Sequence, residues 1–93
     1  MVIGVTTWEL HLSACHSLKD KRQILESLKD RLHRKYNISV AETAHQDLWQ
    51  RAELSACVMS TDRVHAEKVL READRLVDET AGARIVDTST SYL

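Results

Sequence analysis

Apolar and polar residues alternate along VIGVTTWELHL, residues 2–12, and a period of two predicts a β-strand. Val2, Thr6, Trp8, Leu10 and Leu12 fall on one face, and Ile3, Val5, Thr7, Glu9 and His11 on the other. The period then changes. In SLKDKRQILESLKDRLHRKYN, residues 17–37, Leu18, Ile24, Leu25, Leu28, Leu32 and Tyr36 form one apolar stripe of a helix. Ser17 suits the N-cap, Asp20 three residues on makes a weaker capping box, and Asn37 suits a left-handed position past the end. ISVAETA (38–44) and AELSACVMS (52–60) read as a second and a third strand. In the third, Ala52, Leu54, Ala56 and Val58 alternate with Glu53, Ser55, Cys57 and Met59. Ser60, Thr61 and Asp62 offer caps for a second helix, where Val69, Leu70, Ala73, Leu76 and Val77 repeat at helical spacing and Gly82 marks the stop. ARIVDTSTSYL (83–93) is a fourth strand.

The order β-α-β-β-α-β, with right-handed crossovers around one core, predicts an α+β ferredoxin-like sandwich. Residues 1–93 form a single domain: a four-stranded antiparallel sheet of order 4-1-3-2 with two helices on one face. This topology brings the end of the first strand, the start of the first helix and the turn between strands two and three to one end of the sheet. AHQDLWQRAE, residues 44–53, therefore sits beside His11, Cys15 and His16.

Composition adds limits rather than a function. A chain of 93 residues with 43% hydrophobic content and a net charge of −1 is an ordinary globular domain, not a uniformly basic nucleic-acid binder. No apolar run is long enough for a bilayer, and no basic segment leads into an apolar one, so the chain reads as cytoplasmic, starting at its own Met1, with no membrane partner. Cys15 and Cys57 lie in different elements and imply neither a disulfide framework nor a CxxC site. Charge is uneven, however. Lys19, Lys21, Arg22, Lys29, Arg31, Arg34 and Lys35 crowd the first helix, while acids outnumber bases from Val40 onward. An anionic partner has to meet that helix.

Lys21 is the sharpest anomaly. It falls in the middle of the apolar stripe and in the first helical turn, where the helix dipole disfavours a cation. Asp47, or a main-chain carbonyl of residues 44–51, is the expected partner. Lys19 and Arg22 add charge at the same end. Together with free backbone N–H groups they could make an anion site, or Lys21 could clasp the hairpin while the other two stay solvated. His11, Cys15, His16, His45 and Asp47 gather ligand-type side chains without paired metal-ligand spacing, so neither metal nor cofactor is expected. Cys15 near a helix N-terminus could be an activated thiol. The chain lacks long pocket-forming loops, so no catalytic residue is assigned.

Trp49 could stack on a base or cover the end of the core. Lys19, Arg22, Lys29 and His33 are interleaved with Glu26 and Asp30, and the Arg22–Glu26 and Asp30–Arg34 spacings are those of a salt-laced solvated face. Arg31, Arg34 and Lys35 complement the helix C-terminus. On the second sheet face no aromatic appears at the central positions, which argues against base stacking of the RNA-recognition-motif kind. Ile3, Val5, Cys57, Met59 and Ile85 instead predict an apolar patch that pairs two copies into a homodimer.

SLKDKR at the first helix, HQDLWQRA in the hairpin and STDRVHAEKVL at the second helix together resemble the YlxP-like family of small bacterial proteins, over nearly the whole chain. The resemblance implies a ferredoxin-like fold and, because genes of the family often lie near those for translation initiation and ribosome maturation, a role near RNA or the ribosome. It singles out Lys19, Lys21, Arg22, His45, Gln46, Asp47, Trp49, Gln50 and Arg51. The family's loop before the first helix usually carries Pro or Gly, whereas this chain reads SACH, which weakens any metal or thiol role for Cys15 and His16. The expected function is a non-enzymatic, homodimeric binding module that meets RNA or a ribosomal particle through Lys19, Arg22, Lys29 and Arg51. The alternative is a small-ligand-binding or regulatory domain.

Overall fold

The computed structural model describes all of residues 1–93. β1 spans Val2–His11, α1 Leu18–Lys35, β2 Ser39–Ala44, β3 Arg51–Ser60, α2 Arg63–Asp78 and β4 Arg84–Tyr92. The strands form one antiparallel sheet in the order β2-β3-β1-β4, which is 4-1-3-2 read from the opposite edge. β1 and β3 pair along their whole length, from Val2 opposite Ser60 to His11 opposite Arg51.

Alternation decides what is buried. Trp8 and Leu10 of β1 and Ala52, Leu54, Ala56 and Val58 of β3 join Leu25, Leu28 and Leu32 of α1 and Ala66, Leu70, Ala73 and Val77 of α2 in one core cluster. Ile3, Val5, Thr7, Glu9 and His11, one residue out of phase, are only half-buried. Trp8 has no exposed surface, and its indole N–H donates to Asp74 Oδ1 at 2.8 Å, the partner a buried indole requires. Gly4 is needed on the same face: a Cβ there would lie 2.8 Å from Leu70 Cδ1 and 2.9 Å from Tyr92 Cε1. No helix is long and apolar enough to cross a membrane.

The helix ends follow local chemistry. Ser17 Oγ accepts from the Asp20 N–H at 3.0 Å, and Asp20 Oδ2 accepts from the His16 N–H at 3.0 Å, so the reciprocal bond of the capping box closes one residue further out. At the other end Asn37 does not adopt the expected left-handed conformation. α1 leaves through an extended Tyr36 (φ −135°), whose N–H still bonds Leu32 O at 2.9 Å. The positive φ angles fall at His45 (63°) and Gly82 (83°). Arg31 also departs from its expected role at the helix C-terminus, because its guanidinium donates to Thr80 Oγ1 at 3.0 Å and ties α1 to the segment after α2.

Two irregularities set the two sheet edges. Between β2 and β3, Glu42 faces Leu54 and Ala44 faces Glu53, leaving Thr43 as the extra residue. Between β1 and β4, Glu9 faces Asp87 but Leu10 faces Ile85, leaving Val86 extra. The second shift corrects the expected apolar patch. Ile85 lies on Leu10's face and packs against the core, away from Ile3 and Val5, while Val86 is 46% exposed.

Candidate functional site at the hairpin end

Lys21 is buried to 2% exposure, and its ammonium makes two hydrogen bonds to carbonyls and one ion pair, the paired Glu42 Oε2 being itself buried and without a hydrogen bond. Its Nζ donates to His45 O at 2.6 Å and Leu48 O at 2.7 Å, and lies 2.7 Å from Glu42 Oε2. The carboxylate partner is thus Glu42 and not Asp47, which is exposed and forms no hydrogen bond. The reason is the sheet: Glu42 sits opposite Leu54 and so shares the face on which Lys21 is buried. The signal was present in ISVAETA, where Glu42 alternates in phase with Ile38 and Val40. A second charge on an apolar face is the natural partner for the first.

The hairpin polar groups are mostly committed in the same way. His45, in the left-handed region, opens a turn in which the Leu48 N–H bonds His45 O at 3.0 Å, and the same carbonyl receives Lys21. Gln50 Nε2 donates to Ser13 O at 3.2 Å and Cys15 O at 3.1 Å, while the Leu12 N–H bonds Gln50 O at 2.9 Å, so Gln50 holds the β1–α1 loop from both sides. Gln46 Nε2 reaches Glu42 O at 3.4 Å. On the opposite face Glu9 lies directly across from Glu53 on one side and Asp87 on the other. Arg51 (3.1 Å) and His45 Nε2 (3.1 Å) both turn onto Glu9, and Thr43 Oγ1 donates to Glu53 Oε2 at 2.6 Å. Like charges directly opposite destabilise a sheet, and these contacts offset that repulsion. Arg51 is accordingly engaged with Glu9 and is not a free cation of the α1 surface.

What is left uncommitted is narrower. Lys19, Arg22 and Lys29 form no ion pair: the expected Arg22–Glu26 contact is not made, although Asp30–Arg34 is. The Asp30 carboxyl is held below its usual range by its hydrogen bond to Arg34 and that residue's charge. Arg22, Lys29, Glu26 and Gln46 line a shallow groove of about 190 Å³ beside the buried Lys21–Glu42 pair. Trp49 is 52% exposed and Leu48 46%, and the indole N–H has no partner, so Trp49 does not close the core.

Thiol and metal chemistry gain no geometry here. Cys15 is fully buried, and burial, then the nearby Asp20 carboxylate, push its thiol up from the usual range, opposed by Lys21. An activated thiol needs the reverse shift. No three His, Cys, Asp or Glu side chains converge as a metal site would require. Of the expected dimer patch, Ile3, Val5 and Cys57 are half-buried neighbours on one face, Met59 is 66% exposed, and Ile85 is absent from it.

This is a small α+β domain of ferredoxin-like architecture whose hairpin end is tied to its first helix by a buried ion pair. A family described as "Protein of unknown function (DUF503)" matches residues 3–90, and the chain belongs to that family. It is 34% identical over 77 residues to "Uncharacterized protein YlxP" of Bacillus subtilis (strain 168), an alignment covering 83% of this chain and 84% of that protein. Among solved structures it is similar to the de novo designed protein Foldit4 (TM-score 0.60, 9% identity, covering 100% of this chain and 97% of that one). It is also similar to the de novo designed protein LFR1 1 with ferredoxin fold (TM-score 0.52, 15% identity, 100% and 83%). Likeness to designed proteins speaks for the backbone alone, since function lives in the side chains placed on it.

Proposed function

We propose that this chain is a non-enzymatic, cytoplasmic binding module that meets RNA, of the kind found in ribosomal particles, through the start of α1 and the hairpin tip. The observation that carries the reading is the division of charge at this end. Lys21 and Arg51 are consumed by Glu42 and Glu9, whereas Lys19, Arg22 and Lys29 have no acid to answer them. On this reading both helices cover one sheet face, and RNA does not lie on the other. The row Glu53, Glu9 and Asp87 repels phosphate there, and the central strands present no aromatic ring. Trp49 supplies the one exposed indole, and stacking a base on it contributes roughly 1–3 kcal/mol.

With so few cations, binding is weak and falls steeply with salt, because each neutralised phosphate releases counterions. The test is co-sedimentation with ribosomal particles and filter binding to ribosomal RNA at several salt concentrations. Lys19→Glu with Arg22→Glu abolishes association while the circular dichroism spectrum is unchanged, and Trp49→Ala weakens it without changing the salt slope. Wild-type protein that never sediments with the particles, or a double variant that sediments equally well, refutes the reading. The groove of Arg22, Lys29 and Gln46 would then favour a small anionic ligand.

A further inference from the structure

We propose that a second copy of this chain docks along β4, pairing the two β4 strands antiparallel into one continuous eight-stranded sheet, with the α2 helices facing each other across the dyad. β4 is an edge strand of nine residues, and residues 86–91 are all exposed. Natural sheets blunt such an edge with lysine, proline, a mid-strand bulge or a covering element. Here VDTSTS contains no Lys and no Pro, its one charge, Asp87, lies near the strand's beginning, and the only bulge lies there too, at Val86. On the inner side the strand is not covered either. Thr88 and Thr90 are exposed and floor a groove of about 520 Å³ whose wall is Glu67, Arg71 and Asp74 of α2.

The occupant is identified by charge. Arg63, Glu67, Arg71 and Asp74 alternate in sign along α2. Within one copy Arg63 Nε already lies 3.0 Å from Glu67 Oε1 and Asp74 Oδ1 accepts from Trp8, while Arg71 has no ion pair, so a second copy extends these contacts and gives Arg71 its acid. A two-fold axis crossing the helix close to residue 69 sets Glu67 against the second copy's Arg71, a pair centred on that residue, and Arg63 near the second copy's Asp74, a pair centred half a residue before it. The same axis fits the strand. Arg63 stacks on the Tyr92 ring at 3.9 Å, and Asp74 bonds Trp8, which faces Thr88, so along the strand direction the middle of α2 is level with Thr90. An axis through Thr90 pairs it with its own counterpart, and pairs Ser89 with the second copy's Ser91. One dyad thus satisfies the strand register and the helix charges together, which is the self-complementarity an isologous interface demands.

The experiment is light scattering and sedimentation equilibrium on the full chain across a wide concentration range. Wild type is dimeric. Ser89→Lys with Ser91→Lys sets like charges directly opposite across the new ladder and weakens the dimer by roughly tenfold or more. Val5→Glu, on the sheet face, leaves it dimeric. Should the lysine variant misfold, charge reversal carries the test: Glu67→Arg weakens the dimer, and adding Arg71→Glu restores it. A monomeric wild type overturns the proposal, as does a dimer that Val5→Glu alone dissolves. So does a dimer insensitive to both the lysine and the charge-reversal variants. RNA binding through α1 is scored separately and can fail without touching this result.

Discussion

At the β2 edge the strand is six residues long, carries a bulge at Thr43, and is tied to α1 through Glu42 and Lys21. At the β4 edge the strand runs nine residues, its side chains face solvent from Val86 to Ser91, and its inner Thr6–Thr90 hydroxyl pair at 2.8 Å is its polar side-chain contact with the rest of the sheet. The two edges frame the same pair of central strands, so the contrast does not come from the core. It comes from where buried polar chemistry is placed. A buried ion pair is weak evidence of net stability, because desolvation offsets much of its attraction, but an arrangement that separates its partners leaves a buried charge uncompensated and is strongly disfavoured. The hairpin edge is specified and closed; the β4 edge is left free to be completed from outside.

Breaking the specified edge should produce the largest effect. Lys21→Met leaves two inward carbonyls without a donor and the largely buried Glu42 carboxylate without its counter-charge. Removing one member of such a pair costs about 3 kcal/mol, more than the pair itself contributes. Urea unfolding measures the loss. Hydrogen exchange should quicken first in β2, residues 45–50 and the start of α1, with the β1–β4 pairing slower to follow. A loss under about 1 kcal/mol, in the range of an ordinary surface change, would mean the hairpin is held by its own turn rather than by the helix.

Gly4→Ala probes the other edge with a smaller effect. The added methyl meets Leu70 and Tyr92, one in α2 and one in β4. Both are side chains that can shift, so the cost is that of overpacking, about 1–3 kcal/mol. Relief requires Tyr92 to move outward, which disturbs the Arg63 stacking over its ring. Faster exchange in β4 together with unchanged protection at the hairpin is the expected pattern. Uniform loss across both edges would show that the two are not energetically separate.

These contrasts were unequally legible in the chain. The strand and helix periods, the stripe of α1 and the anomaly of Lys21 are written in residue spacing, because burial on one face forces it. That a hairpin carbonyl would receive Lys21 followed from topology. Glu42 was equally readable, in phase with Ile38 and Val40, yet Asp47 drew the assignment because it lies in the turn. Ile85 could not be placed. Adjacent Ile85 and Val86 break the alternation of β4, and a regular strand counted back from Thr88 would point Ile85 outward. A bulge turns it in. Bulges depend on pairing between distant strands, and one residue of slip reverses every side chain beyond it. The exposure of Trp49 was open for a similar reason: whether an indole caps a core depends on what else fills the space.

His45 offers the smallest and finest test, because one residue there performs two separable tasks. Its backbone stands at φ 63°, a conformation that favours glycine and costs other residues about 1 kcal/mol. Its ring meets Glu9 across the sheet, and its carbonyl receives Lys21. His45→Ala keeps the strain and loses the ring, so stability should fall by about 1 kcal/mol, the value of one exposed-to-half-buried hydrogen bond. His45→Gly also loses the ring but releases the strain, offset in part by the greater freedom of glycine in the unfolded chain, and should lie close to wild type. The difference between the two variants isolates the backbone term. If it is about 1 kcal/mol, the turn is held in its left-handed form against local preference, by the Lys21 ammonium drawing in the carbonyl. In a Lys21→Met background the Ala–Gly difference should shrink, since the turn can then relax. An unchanged difference in that background would assign the left-handed turn to the β2–β3 register and remove the lysine from its cause.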